Sequence, residues 1–144
     1  IFLCNVTHAI AAEGVKFCAP EIKRGIWPFM VMGGLFRVMP QRAALDFAIR
    51  GNAISTAQAE KYGLINESVP AESLQDRVAS LAAELASLAP GSMQLGLAAY
   101  VTQDAMDFDD ALPYLRKQLD SCLKNSDAKE GITAFLEKRE PQWD

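Results

Sequence analysis

One carboxylate, Glu21, stands between Pro20 and a run of apolar side chains in the stretch Phe17-Cys18-Ala19-Pro20-Glu21-Ile22-Lys23-Arg24-Gly25-Ile26-Trp27-Pro28-Phe29. A carboxyl group held among apolar side chains has its charged form penalised by desolvation. A group tuned in this way can exchange protons near neutral pH. Pro20 and Pro28 lock φ and lack a backbone N–H, so neither suits the middle of a helix or a sheet. The stretch therefore reads as an ordered loop that holds Glu21 beside Ile22, Ile26, Trp27 and Phe29. Two readings of Glu21 stay open at this level: a proton-transferring carboxylate and an ordinary solvated loop glutamate.

Other chemistry-bearing residues are sparse. His8 is the one histidine, so a Ser-His-Asp or Cys-His relay would have to use it, and a histidine-rich metal site is excluded. Its place in an apolar, strand-like stretch reads as structural. Cys4, Cys18 and Cys122 are widely spaced and form no CxxC, which indicates neither a zinc ribbon nor a disulfide framework. They read as buried, reduced thiols of an intracellular, cytoplasmic protein, and no metal is expected. The net charge of −4 argues against a general nucleic-acid binder, because phosphate neutralisation needs clustered Lys and Arg. With 144 residues, 50% hydrophobic and 22% charged, the chain is long enough for one domain with a real core.

The elements that must position Glu21 follow from patterning. Ile1 to Ala12 reads as a strand, or strand plus turn, buried on both faces. Glu13-Gly14 is a turn signal, and Val15-Lys16-Phe17 delivers the chain to Pro20. Gly33-Gly34 marks flexibility, either in a short helix whose N-terminus faces a ligand or in a packed loop. It is no phosphate loop, since no GxGxxG or GK[ST] surrounds it. Pro40 opens a helix over Gln41–Arg50 that Gly51-Asn52 ends. Ser55-Thr56-Ala57-Gln58 has the form of a capping box for a short helix that stops at Gly63. Leu64 to Pro70 reads as a short strand. Helices are expected over Glu72–Leu88, Ser92–Thr102, about Asp107–Leu123, and from Ser126 to Lys138-Arg139. Pro113 fits the third of these only if it lies in the first turn. Asp127, Glu130 and Arg139 read as surface charges, and Pro141–Asp144 as a tail.

The layout is strands first and helices after. It divides at residue 70, with strands, active-site loop and short helices over 1–70 and a helical region over 71–144. No stretch of about eighteen uncharged apolar residues occurs, so no transmembrane helix is expected. The apolar start lacks the basic residues of a signal peptide. The chain opens on Ile-Phe-Leu without Met, like the middle of a domain, and is expected to be a fragment or one product of a split chain. Helices this apolar need partners, either a second copy or a missing N-terminal half.

Three motifs now stand in order. They are Ala11-Ala12-Glu13 with Phe17-x-x-Pro20-Glu21-Ile22-Lys23-x-Gly25-Ile26-x-Pro28; Gly51-x-x-Ile54-Ser55-x-x-x-Ala59-x-x-x-Gly63-Leu64-Ile65-Asn66-x-x-Val69-Pro70; and Glu130-Gly131-Ile132-x-Ala134-Phe135-Leu136-Glu137-Lys138-Arg139-x-Pro141. Together they resemble the enoyl-CoA hydratase/isomerase (crotonase) family, over its C-terminal half. The resemblance implies an α/β fold: the C-terminal part of a ββα spiral followed by a helical oligomerisation region, assembled as a homotrimer or homohexamer. It implies an acyl-CoA thioester substrate, with coenzyme A entering as part of the substrate and no other cofactor. It also implies an oxyanion hole of two backbone N–H groups, whose family segments lie upstream of these residues.

Glu21 falls on a family catalytic glutamate that gives or takes a proton at the acyl chain. The second, water-positioning glutamate of hydratases maps without gaps onto Ile1, which cannot hold water or move a proton. The resemblance therefore favours an isomerase-like, one-carboxylate chemistry over hydration. Phe29-Met30-Val31-Met32 replaces the family's Gly-rich turn, so the acyl pocket is expected to be reshaped. Ile26, Trp27 and Phe29 are the acyl-side candidates, and Trp27 is equally readable as a core aromatic. Phe135, Lys138 and Leu119 fit the family's coenzyme A contacts, often made from a neighbouring subunit. Their alternatives are a helix-end lysine for Lys138 and core packing for Phe135 and Leu119. The competing overall reading is a catalytically incomplete homologue that only oligomerises and contacts coenzyme A.

Overall fold

The computed structural model describes residues 2–143. The expectation attached to Ile1, and the end of the tail at Asp144, lie outside the described residues. The chain divides into two compact units, Ile1–Leu81 and Ala82–Asp144.

The first unit is built on two short strand pairs. Strand β1 (Ile10–Ala12) runs parallel to β4 (Glu67–Val69), with Ile10 opposite Glu67 and Ala12 opposite Val69. Asn66 extends this ladder. Its side-chain oxygen accepts from the Ala9 N–H at 2.7 Å and its own N–H donates to the Ala9 carbonyl at 2.8 Å. Strand β2 (Lys16–Phe17) is antiparallel to β3 (Ile54–Ser55). Parallel strands require a long crossover. Here the crossover from β1 to β4 carries the whole Glu21 stretch and three helices, α1 (Phe29–Val38), α2 (Gln41–Arg50) and α3 (Thr56–Lys61).

The expectation over Ile1 to Ala12 of a strand, or a strand plus turn, buried on both faces is corrected. Phe2–Asn5 is a 3-10 helix, and only Ile10–Ala12 is strand. Phe2 and Val6 are exposed rather than buried on both faces. Cys4 is the one buried residue of the 3-10 helix and packs against α1 at Gly34. A β-carbon on Gly34 would lie 2.6 Å from the Cys4 Cβ, so the glycine permits the crossing. His8 is likewise not a core residue. It is exposed, with Nδ1 3.2 Å from the Thr7 hydroxyl. Of the three thiols expected to be buried, only Cys4 is; Cys18 is exposed and Cys122 partly so.

Gly33-Gly34 lies inside a ten-residue helix, not in a loop. Helix α2 ends as expected on Gly51, in the left-handed region at φ 56°, whose N–H returns to the Phe47 carbonyl at 3.1 Å. Ser55 caps α3 by accepting from the Gln58 N–H at 3.2 Å. The Gln58 side chain turns instead to the Tyr62 hydroxyl, so the capping box is half formed. The core joins Leu35 of α1 and Met39 just after it, Ala44 and Phe47 of α2, Ile54, Ala59, Leu64 and Ile65 to Cys4, Ala9 and Ala19. Burying a side chain the size of Leu35 or Phe47 contributes about 1.5–3 kcal/mol.

Helix α4 (Leu74–Ala86) follows a 3-10 turn at Ala71–Ser73. Arg77 near its start reaches Glu67 of β4 at 2.8 Å. The second unit contains α5 (Pro90–Gln103), α6 (Phe108–Cys122) and α7 (Ser126–Glu137), with α5 packed on both others. Pro90 opens α5, where its missing N–H costs nothing. Pro113 is the sixth residue of α6, not in its first turn. Pro113 and Asp109, whose carbonyl it leaves without the usual helical donor, are both exposed to water. The buried apolar residues of these helices are Ala99, Ala111 and Ala134, small side chains that allow close backbone approach.

Candidate functional site

Glu21 lies not in a loop but in a 3-10 helix, Pro20–Arg24, which Pro20 starts and Gly25 ends in the left-handed region at φ 72°. The Ile26 N–H closes the turn on the Glu21 carbonyl at 3.1 Å, and the Gly25 N–H closes it on the Ile22 carbonyl at 3.1 Å. The turn is tied down on the far side by α2 and the two residues after it. The Cys18 thiol donates to the Gly51 carbonyl at 3.3 Å, and the Lys23 ammonium to the Asn52 side-chain oxygen at 2.7 Å.

The Glu21 side chain is partly buried, and its Oε2 is inaccessible to water. No hydrogen-bond donor meets Oε2 among the described residues. A buried polar atom without a partner is costly, so a fold that keeps one usually does so for a reason other than stability.

Three further candidates adjoin it in the chain. Ile26 (58% exposed) and Phe29 (69% exposed) lie on the surface, with Met30 exposed beside them. Trp27 is partly buried, its indole N–H 3.3 Å from the Met32 sulfur, which fixes the ring against α1. Of the apolar candidates that follow Glu21 in the chain, Ile26 and Phe29 are thus exposed and Trp27 partly buried.

The remaining candidates belong to the second unit. Leu119 is exposed on α6 and Phe135 is 82% exposed on α7, so neither is a core residue of this chain. Lys138 follows α7 as its C-cap, in the left-handed region at φ 56°, and is exposed.

Of the three residues read as surface charges, Arg139 is exposed and Glu130 partly so, whereas the reading is corrected for Asp127. Asp127 is 5% exposed, and its Oδ2 accepts from the Gly91 and Ser92 N–H groups at 2.7 and 3.0 Å. A carboxylate there meets the unpaired donors and positive end of α5. Gly91 leaves the room: a β-carbon there would fall 2.6 Å from the Asn125 side-chain nitrogen. Arg139 grips Glu130 with two nitrogens, at 2.5 and 3.0 Å, and Glu137 with Nε at 2.7 Å. Glu130 also accepts from the Gln142 N–H at 2.8 Å, and the Trp143 indole donates to the Ser87 carbonyl at 2.8 Å. These donors hold the Glu130 carboxyl down at about 2, and Arg139 is pushed up in return. A cleft of about 380 Å³ runs along this network, lined by Ser126, Asp127, Glu130, Arg139, Gln142 and Trp143. Its charged groups are paired with one another or with helix N–H groups, which makes it a structural seam. No spacing rule pairs residues on either side of a helix end, so sequence reasoning missed it.

Among the described residues no group of three or more His, Cys, Asp or Glu could hold a metal ion. Among the described residues no helix is long and apolar enough to cross a membrane.

Comparison with known proteins adds an independent line. The family model described as enoyl-CoA hydratase/isomerase matches residues 3–144. The chain is 32% identical over 140 residues to the human mitochondrial enoyl-CoA hydratase domain-containing protein 3, covering 97% of this chain and 46% of that protein. It is 31% identical over 141 residues to carnitinyl-CoA dehydratase of Escherichia coli K12, covering 93% of this chain and 53% of the relative. The crystal structure of human enoyl-CoA hydratase domain-containing protein 3 superposes with a TM-score of 0.90 at 30% identity, over 98% of this chain and 56% of that one. The chain spans about half the length of the curated relatives it matches. The expected crotonase-like α/β fold is borne out by these likenesses.

Proposed function

Because this chain belongs to the enoyl-CoA hydratase/isomerase family, we propose that Glu21 is the acid/base that moves a proton on the acyl chain of an enoyl-CoA thioester. The observation that carries this reading is the Glu21 Oε2, buried and without a donor among the described residues, on a 3-10 helix held in place by Gly51 and Asn52. The ionised carboxylate takes a proton from carbon, and the electron pair moves onto the thioester oxygen as an enolate. Returning the proton to a different carbon shifts the double bond. Alternatively, the carboxyl group gives its proton to the α-carbon while water adds at the β-carbon, and the proton that water sheds returns to the Glu21 carboxylate. Backbone N–H donors aimed at the developing oxyanion supply the largest stabilisation in such chemistry. In this reading they come from a preceding part of the protein, in the same or a companion chain.

The preference for a double-bond shift rested on Ile1 alone, and the relatives named above carry hydratase and dehydratase names. Proton transfer at an enoyl-CoA is the level the proposal holds to. Ile26, Trp27 and Phe29 form the acyl side. Leu119, Phe135 and Lys138 contact coenzyme A, which is part of the substrate; no other cofactor is used. The assembly is a homotrimer or homohexamer. A cytoplasmic site is proposed on composition, and cell fractionation tests it against the mitochondrial placement in the human relative's name.

The test is Glu21→Gln in the intact protein, assayed with crotonyl-CoA for hydration and a 3-enoyl-CoA for double-bond shift. Loss of general acid/base catalysis lowers kcat by about 10²–10⁴-fold. A Glu21→Gln protein with full activity would falsify the assignment. Acyl-CoA binding without turnover by the unaltered protein would establish the incomplete homologue instead.

A further inference from the structure

Glu21 is flanked by Pro20 and Ile22, and both press on one residue of another element. A β-carbon at Gly51 would lie 2.9 Å from the Ile22 Cγ2, 3.2 Å from the Ala19 carbonyl oxygen and 3.4 Å from the Pro20 Cα. Gly51 is buried and sits at φ 56°, where a side chain is strained whatever the space. Its carbonyl accepts from the Cys18 thiol at 3.3 Å, and the next residue, Asn52, accepts from Lys23 at 2.7 Å. The contacts therefore bracket the carboxylate from residue 18 to residue 23, and all of them end on the two residues that follow α2. Helix α2 in turn is anchored in the core by Ala44, Phe47 and Ala48.

We propose that Gly51 is a positioning residue for Glu21. Lacking a side chain, it lets the end of α2 seat directly beneath the 3-10 turn and so sets where the carboxylate stands. Asn52 supports it through Lys23. The inference rests on the acid/base reading of Glu21 and adds a residue at the end of α2 that acts through it. Replacing Gly51 by Ala presses on the Ile22 side chain after Glu21 and on the Ala19–Pro20 backbone before it. Misplacing a reacting group by about 1 Å can cost on the order of 10²-fold.

The experiment uses the intact protein with crotonyl-CoA and a 3-enoyl-CoA as probes. It compares Gly51→Ala, Asn52→Ala and Asn52→Asp, with and without Glu21→Gln. With Glu21 present, Gly51→Ala is expected to lower kcat about tenfold at nearly constant KM. In the Glu21→Gln background it should produce no further loss, because residues that act through one group are non-additive. Asn52→Ala should lower kcat about threefold, and Asn52→Asp, which still accepts from Lys23, should restore it. An equal loss of kcat in both backgrounds, or a lowered melting temperature with unchanged kcat, overturns the proposal. If Gly51→Ala does not fold, the surface pair decides: unchanged kcat in Asn52→Ala rejects it. Full activity in Glu21→Gln alone removes the acid/base reading and this inference with it. An inactive Glu21→Gln with a normal Gly51→Ala removes only the inference.

Discussion

Glu130 and Arg139 show what a single side chain contributes and when. Glu130 accepts from Arg139 and from the Gln142 N–H, and these bonds hold its carboxyl at about 2 in the fold, well below an unfolded glutamate. A group whose folded value is depressed stabilises the native state above its unfolded value of about 4.3 and loses that contribution as pH falls toward its folded value. The expected outcome is a gap in urea midpoint between the unaltered protein and Glu130→Gln that is full near neutral pH. It should close progressively between about pH 4.5 and pH 2. The gap should be small, because both side chains are partly in water. A gap that widens on acidification would contradict the assignment. Residues differ in how legible they were. Glu21 stood out because Pro20 and the apolar side chains after it restrict where a carboxylate can go. Asp127 gave no such signal: its partners, Gly91 and Ser92, are far away in the chain, and only tertiary packing brings them together.

At the scale of elements, the paired glycines of α1 separate propensity from packing. A glycine inside a helix costs about 0.5–1 kcal/mol relative to alanine. Nothing approaches a β-carbon at Gly33, so Gly33→Ala should stabilise by about that amount. At Gly34 the β-carbon would meet the Cys4 Cβ at 2.6 Å, so Gly34→Ala should destabilise despite the same gain in propensity. Thermal melts of the two variants, shifting in opposite directions, check the pair; equal shifts would mean that the Cys4 contact does not constrain α1. The N-terminus of α5 offers a second check. Asp127→Ala removes the acceptor of two helix N–H groups and should cost about 1–2 kcal/mol by urea denaturation. A loss within error would show that water replaces the carboxylate there. The same elements explain the sequence reading. Helix α2 matched to the residue because Pro40 and Gly51 punctuate both its ends. Ile1 to Ala12 was misread because an unbroken apolar run has no period to separate strand from turn. Gly33-Gly34 was ambiguous because the helix around it is stabilised by the burial of Leu35, not by local preference.

At the scale of the whole molecule, the two units differ in what they bury. The first has a core of large side chains, Leu35, Met39, Phe47, Ile54, Leu64 and Ile65. In the second, the buried apolar residues are alanines, while Phe108, Leu112, Leu119, Leu123, Ile132, Phe135 and Leu136 stand open to solvent. Full burial of a side chain of this size contributes at most about 1.5–3 kcal/mol, and these side chains forgo part of it. A second copy of the chain is the occupant that the proposed trimer or hexamer supplies. On that reading the intact protein sediments as three or six subunits, and Leu136→Glu, a charge on an open face of α7, drives it toward smaller species at micromolar concentration. Phe135→Ala separates the two roles given to α7. If Phe135 contacts coenzyme A, its loss raises KM for the thioester and leaves sedimentation unchanged. If a neighbour's α7 completes the site, Leu136→Glu raises KM as well, in step with dissociation and relieved by raising protein concentration. An intact protein that sediments as a monomer with unaltered KM in both variants would leave α7 with neither role, and the exposed residues would need a different partner.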